Sequence, residues 1–138
     1  MEYSKLINYK INELVDLLLT DGVRPGDLSD NIFDQDYIDI RYYKDNGYII
    51  GELIFNSDNL LVKMIYTYSQ DRRILRIEEE IQGRKEIVWD RSMREKEIIE
   101  EIVYFIKLVY NPEQIHHFLM SLPNAVGSSI LSEYSKTA

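Results

Sequence analysis

Residues 37–89 read YIDIRYYKDNGYIIGELIFNSDNLLVKMIYTYSQDRRILRIEEEIQGRKEIVW. Apolar, β-branched and aromatic residues alternate with polar ones, or run unbroken, over residues 37–43, 48–55, 60–68 and 74–81. That is the period-two signature of strands buried on one or both faces. Asn46-Gly47 is the pair favoured in a two-residue hairpin loop, because both positions there need positive φ. Asn56-Ser57-Asp58-Asn59 and Ser69-Gln70-Asp71-Arg72 mark the next two turns, and Gln82-Gly83-Arg84 leads to a shorter strand over 85–89. Strands joined by such short connections must be antiparallel.

The flanks are helical in pattern. Tyr3, Ile7, Ile11, Leu14 and Leu18 recur at three- and four-residue steps, and Asp21-Gly22 supplies a stop. Residues 27–36 read as an acidic loop. After the strands, Ser92 and Glu95 have the spacing of a capping box ahead of Ile98, Ile102, Phe105, Ile106 and Val109. Asn111-Pro112 opens a further helix carrying Ile115, Phe118 and Leu119, and Pro123-Asn124 precedes a last short one. The expected fold is therefore α+β: an N-terminal helix, an antiparallel β-meander of four to five strands, and two to three C-terminal helices, in one domain over residues 1–138.

The turns fix a register. With Asn46-Gly47 at the first tip, Arg41 faces Glu52. With residues 56–59 as a four-residue second loop, Glu52 faces Lys63. With Gln70-Asp71 at the third tip, Lys63 faces Glu78. The result is a ladder of alternating charge, Arg41–Glu52–Lys63–Glu78, of the kind that favours cross-strand pairing. One face then holds Ile38, Ile40, Leu53, Val62, Met64, Leu75 and Ile77, with Gly51 opposite Met64, and is the expected core. The other mixes the ladder with Tyr37, Tyr43, Tyr48, Ile50, Ile54 and Ile74. Aliphatics, tyrosines and arginine beside paired charges have the composition of an interaction surface.

Composition narrows the function. The 138 residues include 24 acids against 16 bases, a net charge of −8. That disfavours nucleic acid and anionic membranes and favours a basic protein partner. The acids concentrate at Asp21, Asp27, Asp30, Asp34, Asp36 and Asp39, where Arg24 is the one base. No cysteine is present, which excludes disulfides and thiolate metal sites and fits a cytoplasmic setting. No apolar run is long enough for a signal peptide or a membrane span.

Candidate chemistry is sparse. Adjacent helical histidines point about 100° apart, so His116-His117 lacks the spacing of a chelating pair, and no metal is expected there. Glu79, between Ile77 and Ile81 on the core face, is a candidate general acid that would line a cavity with Tyr66, but the favoured reading places it near the sheet margin, where it meets water or a basic partner. No glycine-rich phosphate loop and no nucleophile elbow occurs, and no cofactor is expected.

Two function classes follow. The leading one is a small acidic protein-binding module, an inhibitor of immunity-protein or antitoxin type acting on a basic target such as a nuclease toxin. Its expected contact residues are Asp27, Asp30, Asp34, Asp36, Arg41, Tyr43, Tyr48, Glu52, Lys63 and Glu78, with self-association into a homodimer as another use of the sheet face. The alternative is a small enzyme or ligand-binding domain with a carboxylate-lined cavity between sheet and helices.

Overall fold

The computed structural model describes residues 2–137. Helix α1 (Tyr3–Leu19) is followed by a short helix α2 (Pro25–Ser29) and a 3₁₀ helix (Asp30–Phe33). Five strands follow: β1 (Tyr37–Asp45), β2 (Tyr48–Ser57), β3 (Leu60–Tyr68), β4 (Ile74–Ile81) and β5 (Arg84–Asp90). Helices α3 (Arg91–Val109), α4 (Pro112–Met120) and α5 (Asn124–Thr137) complete an α+β fold of the expected element order. The chain divides into two compact units, Met1–Leu19 with Arg94–Ala138, and Thr20–Met93.

The helical unit is built by the stripes read from the sequence. Ile7, Ile11 and Leu14 of α1 meet Ile98, Ile102, Val103 and Ile106 of α3, Ile115 and Leu119 of α4, and Val126 and Ile130 of α5 in one buried cluster. Asn111 caps α4 reciprocally: its side chain accepts from Gln114 N–H at 2.8 Å, and the Gln114 side chain accepts from Asn111 N–H at 3.0 Å. Gly127 lets α5 approach the end of α4, where a Cβ would stand 2.6 Å from the Leu119 carbonyl oxygen.

The other unit is an antiparallel meander in the order β1-β2-β3-β4-β5. The first hairpin is as expected, with Asn46 at φ 50° and Gly47 at φ 85°, and Arg41 opposite Glu52. The second differs. Its loop is only Asp58-Asn59, at φ 51° and 65°, so Ser57 faces Leu60, Glu52 faces Ile65, and Lys63 faces Ile54. Aspartate and asparagine tolerate the left-handed region well enough to make the shorter turn, whose twist suits the strands. Gly51 accordingly faces Tyr42 and Tyr66 rather than Met64. On the next strand Lys63 faces Glu80, and Glu78 faces Ile65. Directly across the strands the ladder is thus replaced by Arg41 opposite Glu52 and Lys63 opposite Glu80, while Lys63 still reaches Glu52 diagonally, with Nζ 3.5 Å from Oε1.

Three single-residue bulges adjust the faces. Ile38, Leu75 and Val88 each lack a partner across the sheet. A bulge of one residue inverts the alternation beyond it. Tyr37 therefore joins the core against Phe55, with ring centroids 4.8 Å apart, while Ile38 is 55% exposed. Ile74, expected on the mixed face, is buried in the core. Two of the bulges lie on the edge strands β1 and β5, where they disrupt the template for unwanted pairing.

The segment expected to be a loop is also structured. Pro25 opens α2, Asp27 accepts a hydrogen bond from the Arg24 N–H at 3.2 Å, and Leu28 packs with Leu53, Tyr68 and Ile74. Gly22 lies beyond the end of α1. Its φ of 81° carries the chain so close to β4 that a Cβ would stand 2.3 Å from Ile74 Cγ2. At the far end of the sheet, Asp90 rather than Ser92 caps α3, accepting from Met93 N–H at 3.0 Å. The expected box Ser92–Glu95 starts two residues too late, because β5 runs through Trp89 and Asp90 directly into the helix.

Candidate functional site

The acidic segment is a strap fastened to the sheet by side chains from below. The buried Arg91 guanidinium donates to the Ile74 carbonyl at 2.8 Å and to those of Thr20 and Asp21 at 3.1 and 3.3 Å. Tyr68 hydroxyl donates to Val23 O at 2.9 Å, and Tyr42 hydroxyl donates to Pro25 O at 2.7 Å. Tyr37 N–H and Asn56 N–H donate to the carbonyls of Asp34 and Asp36. Backbone carbonyls satisfied this way hold the strap's carboxylates on a fixed frame.

On that frame Asp27, Asp30, Asp34 and Asp36 are all exposed. Between them lies Phe33, 87% exposed at the end of the 3₁₀ helix, next to the partly exposed Ile32. Sequence reasoning passed over Phe33, since one aromatic in an acidic run has no periodicity to place it. Its signal was its setting, a single phenylalanine within a run of aspartates from Asp27 to Asp36.

The mixed sheet face is organised around Glu52. This carboxylate is only 6% exposed. Arg41 approaches Oε1 through Nε at 3.0 Å and Nη2 at 2.9 Å, Tyr43 hydroxyl donates to Oε2 at 2.6 Å, and Lys63 Nζ lies 3.5 Å from Oε1. Burial alone would raise the Glu52 pKa. The hydrogen bonds from Tyr43 and Arg41 and the charge of Lys63 outweigh it and hold the group below the usual carboxylate range. The hydrogen bond to Glu52, followed by burial, moves Tyr43 upward. Glu52 is thus an internal anchor that holds Arg41 and Tyr43 in place. Tyr48 lies on the same face at the hairpin tip, exposed, opposite Asp45. Glu78 is half-buried between Ile65 and Ile87 and stands apart from the Glu52 cluster.

A cleft of about 740 Å³ opens in the same unit, lined by Asp21, Arg24, Pro25, Gly26 and Asp27 of the strap, Lys44 and Ile49, and Tyr68, Ser69, Gln70 and Arg72. Neither Glu79 nor Tyr66 lines it. Glu79 is half-buried between Met64 and Glu86 on neighbouring strands, and burial raises the pKa of the Tyr66 hydroxyl. His116 and His117 are both exposed on α4, with ring centroids 6.4 Å apart. Among the described residues no group of three histidine, aspartate or glutamate side chains is arranged to hold a metal ion, and no helix is long and apolar enough to cross a membrane.

Fold and surface together define an α+β protein whose five-stranded meander carries an acidic strap. No protein-family model matches the chain, and comparison with curated proteins and with solved structures gives no match.

Proposed function

We propose that this chain is an acidic protein-binding module, an inhibitor of the immunity-protein or antitoxin type whose target is a basic protein such as a nuclease toxin. The observation that carries the reading is Phe33, an aromatic ring held in solvent on a fixed strap and flanked by Asp30, Asp34 and Asp36. An aromatic anchor ringed by carboxylates fits an apolar pocket with a basic rim. The ring supplies contact that slows dissociation, and the acids speed encounter. Arg41 and Tyr43, preset by Glu52, extend the surface with the residue types that dominate interface energetics. A second copy of this chain is a poor occupant for the strap, because carboxylates would meet carboxylates. A ligand-binding role centred on Glu79 and Tyr66 has less support, since neither residue lines the cleft beside the strap.

The test is affinity capture from the native host with wild-type protein beside two variants, Phe33→Ala and the triple Asp30, Asp34, Asp36→Asn, followed by rate measurements on the captured partner. The expected partner is basic. Phe33→Ala should raise the dissociation rate by about tenfold or more, and the triple variant should slow association and flatten its salt dependence. A partner bound equally well by all three proteins, or one without excess basic charge, overturns the reading.

A further inference from the structure

Most basic side chains of the described residues are engaged. Arg41, Arg76 and Arg94 pair with Glu52, Asp90 and Glu13, Lys10 with Glu101, and Arg91 with backbone carbonyls. Arg24, Lys44 and Arg72 make no ion pair and no side-chain hydrogen bond among the described residues, and all three line the one cleft beside the strap. They come from three separate elements, the strap, the edge strand β1 and the β3–β4 turn. In a chain of net charge −8, three cations without an ion pair outnumber the two carboxylates, Asp21 and Asp27, that line the same cleft, and this local excess of positive charge suits an anion.

The cleft is built to hold its shape. Its base is Tyr68, 1% exposed, whose hydroxyl is committed to Val23 O. Arg72 is held at φ 74° in a turn closed by its own N–H donating to Ser69 O at 3.1 Å. The Gln70 side chain donates to Gly47 O at 3.1 Å and ties that turn to the first hairpin. On the strap side Asp27 is already engaged by the Arg24 N–H. The volume falls within the range of sites for small molecules, and a rigid site loses less order on binding.

We infer that this cleft is a binding site for a small organic anion, one carboxylate or phosphate group on an apolar body, the anionic group held by Arg24, Lys44 and Arg72 and the body resting on Ile49 and Tyr68. Guanidinium forks match either oxyanion, and the ammonium adds a point charge. Asp21 and Asp27 in the same lining turn away polyanions, whose further charges would lie against carboxylates. The site is independent of the Phe33 surface.

The inference is tested by titrating isotope-labelled protein with benzoate, phenyl phosphate and neutral benzyl alcohol while recording amide spectra. At least one anionic probe should give saturable shifts confined to residues 21–27, 44–49 and 68–73, with a Kd of about 1 mM or tighter. Benzyl alcohol should bind about tenfold more weakly, as should either anion to the double variant Lys44→Gln, Arg72→Asn. Asparagine tolerates the left-handed backbone at position 72, and the spectrum itself reports folding. The stronger of the two anions identifies the preferred head group. Absence of saturable shifts with both anions, or binding unchanged in the double variant, overturns the inference.

Discussion

The two units bury different chemistry. The helical unit's core is isoleucine, leucine and valine throughout. The sheet unit, besides Leu28, Leu53 and Ile74, buries Tyr68, Glu52, Asp90 and Arg91, each with hydrogen-bond partners. Apolar packing is non-directional and tolerates rearrangement, whereas a buried carboxylate or guanidinium has only a few satisfied geometries. The difference teaches where specificity lies. Glu52 fixes Arg41 and Tyr43 on the outer face, Arg91 fixes the start of the strap, and Tyr68 fixes its middle. The proposed contacts and the cleft fall in the unit with the polar interior.

The largest expected effect tests the apolar side. Ile102→Ala removes a fully buried side chain from the helical core and should cost about 4 kcal/mol, through lost transfer energy and the cavity left behind. Hydrogen exchange of the amides of α1, α3, α4 and α5 should report it. Protection that falls by less than about 1 kcal/mol would mean that this core collapses around the gap, and would weaken the contrast.

Glu52→Ala comes next, at about 2 kcal/mol in the sheet unit, because Arg41, Tyr43 and Lys63 lose a shared acceptor but can turn to water. Its signature is specific. The Arg41 Nε and Tyr43 hydroxyl resonances should broaden, while the amides of the helical unit keep their shifts.

The third expectation concerns pH. Glu52 and Asp90 both titrate below their ordinary values in the folded protein. For Asp90, burial opposes that shift, but the Met93 N–H and Arg76 prevail. A carboxylate with a depressed folded pKa contributes stability that is fully present above its unfolded pKa of about 4 and is lost as pH falls through the folded value. Denaturant unfolding followed by the single Trp89 should show the sheet unit weakening below about pH 4, and the decline should be shallower in Glu52→Gln. Equal slopes in the two proteins would remove Glu52 from the acid response.

The smallest effect is the most informative for function. Phe33→Ala should change stability by no more than about 0.5 kcal/mol, since the ring is already in water. A loss several times larger would mean that Phe33 supports the strap rather than a partner.

Much of this architecture was legible in the chain. Period-two runs, Asn46-Gly47 and the three- and four-residue stripes sufficed for the order of the strands and longer helices, for the pairing of Arg41 with Glu52 and for the apolar faces of those helices, because these signals are local and each agrees with its neighbours; that the helices share a core of their own was not among the expectations. The second hairpin was misread by two residues, and so was the third beyond its Leu75 bulge, where Lys63 faces Glu80 instead of Glu78. A two-residue slip leaves every side chain on its own face, so hydrophobic alternation cannot detect it, and only the left-handed Asp58-Asn59 turn decides. The bulges at Ile38, Leu75 and Val88 were hidden for the opposite reason: an extra residue inverts a face without altering composition, and whether Tyr37 or Ile38 turns inward depends on what Phe55 offers across the sheet.

Acidic composition, the capacity for hairpins and the amphipathic helices were determined by the sequence, since they depend on residue type and short-range spacing. Tertiary structure alone turned an acidic loop into a pinned strap, made Glu52 an interior anchor and gathered Arg24, Lys44 and Arg72 around one cleft. Each of these depends on groups far apart in the chain, Val23 with Tyr68, Thr20 with Arg91, Lys44 with Arg72. Their meeting needs the strap, the strands and the start of α3 to be folded together, and the turn signals reach only from one strand to the next.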